Sequence, residues 1–193
     1  ADRVTDKALF GVSLTAAQFG AANSFFIFSL APVFALLWTR LGKRGLEPST
    51  PVKFSLGIAQ AGLGFGALVY GAQFPNEAGM VSAWWLICAY LLHTTGELCL
   101  SPVGLSAVTK LAVPSVVGVM MGTWFLASAY SSYVAAQIAT IAARPASATL
   151  ADSADALAGY TELFSQLLVI GLAGGAVLLI LSPLLKKLMH GVR

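Results

Sequence analysis

Long uncharged stretches alternate with short charged ones along this chain. The uncharged stretches cover residues 8–39, 54–76, 78–96 together with 98–109, 111–143 and 163–185. A helix needs about 20 apolar residues to cross the hydrocarbon core of a bilayer, and each stretch is long enough. The pattern therefore predicts an all-α, polytopic membrane protein with five transmembrane helices, at about 14–39, 54–73, 81–111, 116–142 and 161–185.

The composition and the placement of charge agree with this interpretation. Hydrophobic residues make up 58% of the chain and charged residues only 10%, against about 25% charged in an average soluble domain. Eight of the eleven basic residues fall on alternate connections between the predicted helices: Arg40, Lys43, Arg44, Lys53, Lys110, Lys186, Lys187 and Arg193. Because cytoplasmic loops are enriched in Lys and Arg, we expect an external N-terminus and a cytoplasmic C-terminus.

The sequence gives little support to a metal or cofactor site. Cys88 and Cys99 are the only cysteines, and on one helix they would lie about 16 Å apart, too far for a disulfide. No C-x-x-C or other metal-ligand spacing is present. Nothing in the sequence indicates a cofactor or a nucleic-acid partner, and the expected surroundings are a lipid bilayer.

One carboxylate stands out in the third predicted helix. Between Ala78 and Thr109, Glu97 is the only formal charge apart from whatever His93 holds. An ionised carboxylate in the bilayer costs at least about 2.5–3.5 kcal/mol, so Glu97 must be protonated, paired or facing water. No basic residue lies at mid-membrane in the five helices. We therefore expect Glu97 to serve a site for protons or for a cationic amine.

Polar and small residues accompany this carboxylate on one side of the helix. His93, Glu97 and Ser101 fall on a stripe within about 80°, and Gly104 continues it. Pro102 cannot donate a helical hydrogen bond, so it frees a carbonyl and allows a bend nearby. His93 is either a proton relay to Glu97 or a simple hydrogen-bonded histidine. Together these residues predict a polar site at mid-membrane.

Two other helices carry polar or aromatic side chains where lipid contact alone would not require them. Asn23, in the first helix, is either a ligand-binding amide or one half of a hydrogen bond between helices. Trp124 and Ser128 share a face of the fourth helix, which suits the wall of an organic ligand's pocket. Packing of Trp124 at the lipid interface is the alternative.

A stripe of small residues marks the second predicted helix. Gly57, Ala61, Gly64 and Ala67 recur at helical spacing within GIAQAGLGFGALVYG. Small side chains let the backbones of two membrane helices approach closely. This stripe predicts a packing face.

Several segments resemble one transporter family. GELCLSPVGLSAVTKLA at 96–112 resembles the signature of the tenth transmembrane helix in proton-dependent oligopeptide transporters of the major facilitator superfamily. ADRVTDKALFG resembles the loop before helix eight, FIFSLAPVFALLWTRLGKR resembles helix eight with its basic loop, and WFLAS resembles part of helix eleven. The resemblance covers most of the chain and implies helices eight to twelve of the C-terminal bundle.

The resemblance also implies a function and its residues. The family imports di- and tripeptides together with protons by alternating access between two bundles. Glu97 resembles the acid that meets the amino terminus of the peptide, and Asn23 matches an asparagine near the same group. Further site positions carried over from the family are Ser101, which follows the acid by one turn, and Trp124, Phe125 and Ser128, which line the pocket or gate.

This chain departs from the family pattern in two respects. Where the family reads close to W-F-Q-S-x-N-P, the run here is QFGAANS, with Gln18, Gly20 and Ser24 in place of Trp, Gln and Pro. These three replacements are expected to affect the shape of the pocket wall and hence the preference for particular peptides. The family's E-x-x-E-R motif and the groups that bind the peptide carboxylate have no counterpart here. The expected partner is therefore the N-terminal seven helices of the same transporter, and the chain alone is not expected to transport.

Two other classes of protein are alternatives. An intramembrane serine hydrolase would use Ser106 with His93 as its base, but thirteen residues on one helix separate them by about 20 Å, which excludes a hydrogen bond. A membrane scaffold without transport activity remains an alternative, favoured if Glu97 faces only packed side chains. Enzymatic activity is not expected.

Overall fold

The computed structural model describes residues 5–6, 8–9, 12–13, 15–77, 79–142 and 150–189. The fold is all-α, as predicted. Its five long helices are α1 (Ala16–Lys43), α2 (Thr50–Gly71), α3 (Ala83–Leu111), α4 (Val117–Ala142) and α5 (Leu150–Leu188). A short 3-10 helix, Pro114–Val116, precedes α4. The predicted first residue of helix one, residue 14, and the basic Arg193 lie outside the described residues.

The helices have the length and composition of membrane spans. Four are long and apolar enough to cross a bilayer, in the segments Gln18–Lys43, Thr50–Gly71, Ala83–Leu111 and Leu157–Leu188. The remaining helix, α4, has 26 residues and so measures about 39 Å, which also exceeds the hydrocarbon thickness. It contains serine, threonine, tyrosine and glutamine residues but no charged side chain. The chain is a multi-pass membrane protein.

The start of α5 differs most from the predicted boundaries. The helix begins at Leu150, whereas the prediction places its start near 161 and treats the preceding residues as an outer loop. The run LADSADALA contains acidic and small residues, which suggest a loop. It is also rich in Ala and Leu, which favour helix, and it contains no Gly or Pro. A helix can therefore extend beyond its membrane-spanning part, Leu157–Leu188.

Helix α2 lies between α3 and α5 and packs closely against both. Its face toward α3 carries Gly57, Gly64 and Gly71, which recur every seven residues. A Cβ atom on Gly57 would lie 2.7 Å from the Gly96 carbonyl oxygen, closer than real Cβ contacts allow. Across the interface the three glycines face Gly96, His93 and Trp85, in that order. The predicted packing face is thus confirmed at Gly57 and Gly64.

The opposite face of α2 meets α5 with the same close approach. A Cβ atom on Gly171 would lie 2.6 Å from the Cα atom of Gly62. Four residues further along α5, the Gly175 carbonyl accepts a hydrogen bond of 2.7 Å from the buried Ser55 hydroxyl. Glycine on both sides removes the side chains that would otherwise separate the two backbones.

Helix α1 is attached to the N-terminal part of α3. The strand β1 (Thr5–Asp6) pairs in parallel with β4 (Val81–Ser82), directly before α3. A small hairpin, β2 (Ala8–Leu9) with β3 (Val12–Ser13), lies between β1 and α1. Below it the Phe19 ring is buried against α3, where its neighbours are Ala83, Leu86, Ile87 and Tyr90. These contacts fix the entry of α1 beside α3.

A buried cation stabilises the connection between α1 and α2. Lys53 is only 4% exposed, and its ammonium group donates a hydrogen bond of 2.5 Å to the Glu47 carboxylate. The same ammonium lies 4.7 Å from the centroid of the Trp38 ring. A buried charge needs a partner of opposite sign, and a cation over an aromatic face gains further attraction. Lys53 therefore ties the loop to both helices.

The close approach of α2 and α5 makes a specific prediction about stability. Gly171→Ala should lower the melting temperature of the detergent-solubilised protein, because the added methyl group overlaps Gly62 and overpacking costs about 1–3 kcal/mol. Gly118→Ala on α4 is the matched control, since a Cβ atom there meets nothing within 4 Å. Equal melting temperatures for the two variants would contradict the close contact.

Candidate functional site

The stripe predicted on α3 is covered at both ends and open in the middle. His93, at its N-terminal end, lies against α2, and Gly104, at its C-terminal end, lies against α4. Between them Glu97 is exposed and Ser101 is half-buried. Helix α3 runs through Pro102 without interruption. The Glu97 carboxylate is thus exposed between two positions of the stripe that neighbouring helices cover.

His93 makes its contacts with α2. Its Nε2 atom lies 3.0 Å from the Ala61 carbonyl oxygen, so the ring nitrogen donates to this carbonyl. The imidazole also packs on the Phe65 ring, with 4.7 Å between the ring centroids, and fits over Gly64, where a side chain would overlap it. In this arrangement His93 joins α2 to α3.

Of the three predicted residues on α4, one contacts the Gly104 end of the stripe. Trp124 is half-buried, and its indole ring lies over Gly104, in the space that a side chain at that position would fill. Phe125 is 58% exposed. Ser128 is also exposed, and its hydroxyl donates a hydrogen bond of 3.2 Å to the Trp124 carbonyl. Only Trp124 of these three residues is brought against α3.

A hydrogen bond across the helices brings Asn23 to α3. The Thr94 hydroxyl donates to the Asn23 Oδ1 atom at 2.5 Å. Thr94 is completely buried and Asn23 is half-buried. Because Thr94 precedes Glu97 by three residues, Asn23 is held within about one helical turn of the carboxylate along α3. The structure therefore brings Asn23 to the same part of α3 as Glu97.

Thr94 was missed by the sequence analysis. Its hydroxyl is indistinguishable by sequence from that of Thr95, which donates to the Leu92 carbonyl of its own helix at 3.0 Å. The one available signal is its position just under one turn before Glu97. Recognition of its partner requires the packing of α1 on α3, which periodicity within one helix does not give.

The departures from the family pattern lie mostly at the start of α1. Gln18 completes a capping box: its side-chain oxygen accepts from the Thr15 N–H at 2.7 Å, and the Thr15 hydroxyl accepts in return from the Gln18 N–H. Such reciprocal bonds satisfy two backbone donors that a helix start leaves free. Gly20 and Ser24 are exposed.

The described residues contain no group of His, Cys, Asp and Glu side chains that could hold a metal ion. The polar groups along this part of α3 are the Glu97 carboxylate, the His93 imidazole, several hydroxyls and two amides, Asn23 on α1 and Gln60 on α2. A carboxylate and an amide can bind an organic ligand that carries an ammonium group and carbonyl oxygens.

Comparison with known proteins identifies the family. The sequence model of the POT family matches residues 1–158. The chain belongs to this family, as the resemblance in its tenth-helix signature indicated.

Individual relatives and a solved structure support the same family assignment. The chain is 41% identical over 192 residues to the "Uncharacterized transporter YclF" of Bacillus subtilis (strain 168), covering 100% of this chain and 36% of that protein. It is 36% identical over 182 residues to "Dipeptide and tripeptide permease B" of Aliivibrio fischeri (strain MJ11), covering 94% and 36%. A crystal structure of a peptide transporter POT in complex with sulfate is similar, with a TM-score of 0.78, 36% identity, and coverage of 97% and 35%. The chain spans about a third of the length of these relatives.

The contact of His93 with α2 predicts a loss of stability on its removal. His93→Phe keeps a ring beside Phe65 but removes the hydrogen bond to the Ala61 carbonyl. We expect a destabilisation of about 0.5–1.5 kcal/mol, the usual net contribution of one such bond, measured by thermal unfolding in detergent. Cys88→Ala, an exposed position on the same helix, serves as the control. A His93→Phe variant as stable as this control would contradict the contact.

Proposed function

We propose that this chain forms the C-terminal membrane segment of a proton-coupled symporter that imports di- and tripeptides by alternating access. The family assignment and the relatives named dipeptide and tripeptide permease support this proposal. The observation that carries it is the exposure of Glu97 in the middle of α3, between residues of the same stripe that are covered by α2 and α4.

In this proposal each predicted residue has a role that follows from its chemistry. The Glu97 carboxylate binds the peptide ammonium and also carries the coupled proton, with His93 as the candidate relay. Asn23 and Ser101 provide an amide and a hydroxyl beside it. The adaptable pocket wall is formed by Trp124, Phe125 and Ser128.

The partner in this proposal is the remainder of the same transporter, with seven helices on its N-terminal side. The exposed surface of α4 supports this. Its side chains include Tyr130 and Tyr133, which are 68% and 61% exposed, among serine and threonine residues. Such a mixed aromatic and polar surface is better suited to protein or to a water-filled cavity than to lipid. The proposed location is the inner membrane, with the C-terminus in the cytoplasm.

The scaffold alternative requires that Glu97 face only packed side chains. Glu97 is exposed instead, which argues against a scaffold. The hydrolase alternative requires His93 to reach Ser106. His93 donates to α2 instead, and the relatives are transporters. Transport is therefore the function best supported by the site.

The proposed role of Glu97 can be tested in the complete transporter, reconstituted in proteoliposomes. Glu97→Gln should reduce dipeptide affinity roughly 10- to 100-fold, because a hydrogen bond to a charged group contributes about 1.5–3 kcal/mol. Acidification of the outside should no longer stimulate uptake, since the amide cannot be protonated near neutral pH. Peptide binding is measured by competition and uptake with a labelled dipeptide.

The matched control is Ser106→Ala, an exposed position on the same helix, which should leave affinity and uptake unchanged. Acid-stimulated uptake by Glu97→Gln at the level of the parent protein would overturn the role of the carboxylate. Absence of peptide uptake by the parent protein itself would overturn the proposed function.

A further inference from the structure

Gly20 lies near the start of α1 and has no packing neighbour on the side where a side chain would stand. A Cβ atom on Gly20 would meet nothing within 4 Å among the described residues, whereas a Cβ atom on Gly64 or Gly171 would overlap a neighbouring helix. A glycine inside a helix destabilises that helix relative to alanine. Packing among the described residues therefore gives no reason for a glycine at this position.

Gly20 lies on the same side of the pair formed by α1 and α3 as Glu97. The two helices run in the same direction, because Phe19 packs near the start of α3 and Asn23 bonds to Thr94 farther along both. Gly20 precedes Asn23 by three residues and is rotated by about 60° from the contact with α3. Glu97 follows Thr94 by three residues and is rotated by about 60° in the opposite sense. On two helices that face each other, rotations of opposite sense lead to the same side.

The two positions are also close along the helices. Each lies about 4.5 Å from the bond between the helices, Gly20 before it and Glu97 after it, at about 1.5 Å per residue. They are therefore about 9 Å apart in this direction. Ser24 follows Asn23 directly, is rotated in the same sense as Gly20, and is likewise small and exposed. On the N-terminal side of the Glu97 carboxylate, α1 thus leaves space that a side chain at position 20 would occupy.

A peptide bound at Glu97 would direct its first side chain into this region. The ammonium group and the first side chain of a peptide are attached to the same carbon atom, so an ammonium at the carboxylate places the start of that side chain beside it. The methyl group of alanine ends there, whereas the ring of phenylalanine extends several ångströms farther. Where the family pattern has Gln, Gly20 leaves room for such a ring, whose apolar surface is removed from water when it packs on α1.

We propose that Gly20 opens a subsite for the first side chain of the peptide, so that dipeptides with a large aromatic first residue are preferred substrates. The inference rests on the proposed peptide-binding function, with the peptide ammonium at Glu97. Gly20 contributes space and makes no polar contact, so peptide preference depends on the size of the residue at this position.

The test is Gly20→Gln in the complete transporter, with Gly20→Ala as the smaller step. Dissociation constants for Phe-Ala, Ala-Phe and Ala-Ala are measured by competition with a labelled dipeptide. The parent protein should bind Phe-Ala at least about threefold more tightly than Ala-Ala, because the ring is buried. Gly20→Gln should raise the dissociation constant for Phe-Ala at least about tenfold, because the new side chain overlaps the ring. Gly20→Ala should lie between the two, and Ala-Ala and Ala-Phe should stay within about twofold of their parent values.

The matched control is Gly118→Gln on α4, another helix position at which a Cβ atom meets nothing within 4 Å. This variant should bind all three peptides as the parent does. Melting temperatures in detergent separate the subsite from damage to the fold. Because Gln favours helix over Gly, Gly20→Gln should be at least as stable as the parent while it loses affinity for Phe-Ala.

Three results would overturn the inference and leave the proposed function standing: unchanged Phe-Ala affinity in Gly20→Gln, an equal loss for Phe-Ala and Ala-Ala, or a loss confined to Ala-Phe. The first would mean that the space is not used by the peptide. The second would indicate a general effect on the site or on a neighbouring helix, and the third would assign the space to the second side chain. Failure of the parent protein to bind any dipeptide would overturn the proposed function itself.

Discussion

Close backbone contact on two sides of α2 is the constraint on which the rest of this structure depends. Membrane helices gain no hydrophobic free energy by leaving lipid for one another, so they associate where small residues allow dense packing. At Gly62 and Gly171 the α2 and α5 backbones meet directly, and at Gly57 and Gly96 the α2 and α3 backbones do so. These contacts fix α3 with respect to α2, and the orientation of α3 determines where Glu97 points.

The sequence predicted those parts of the fold that one segment determines by itself. The existence of five helices follows from the length of the uncharged stretches, because every backbone group in lipid must be bonded within its own helix. The packing stripe of Gly57 and Gly64 also follows from spacing alone. The start of α5 at Leu150 and the pairing of β1 with β4 do not. A helix outside the membrane is governed by weak propensities, and a strand of two residues has no periodicity to detect.

In the candidate site, too, the sequence predicted what one helix determines and missed what depends on the packing of two helices. The stripe from His93 to Gly104 was visible in the sequence because it lies on one helix. For Asn23 the sequence left open a ligand role or a bond between helices. The structure shows a bond between helices, which the Thr94 hydroxyl donates to Asn23 Oδ1, and the ligand role stays a prediction. The sequence could not single out Thr94, because its hydrogen-bond partner, Asn23, lies on another helix.

The attachment of α1 to α3 has a mechanical consequence. The two helices are joined at three depths: by the pairing of Thr5 with Val81 above the helices, by the buried ring of Phe19, and by the bond between Thr94 and Asn23. Because they are joined at three depths, the two helices cannot slide or rotate past each other without breaking one of these contacts. The two helices are therefore expected to move together, which preserves the distance between the groups that they carry.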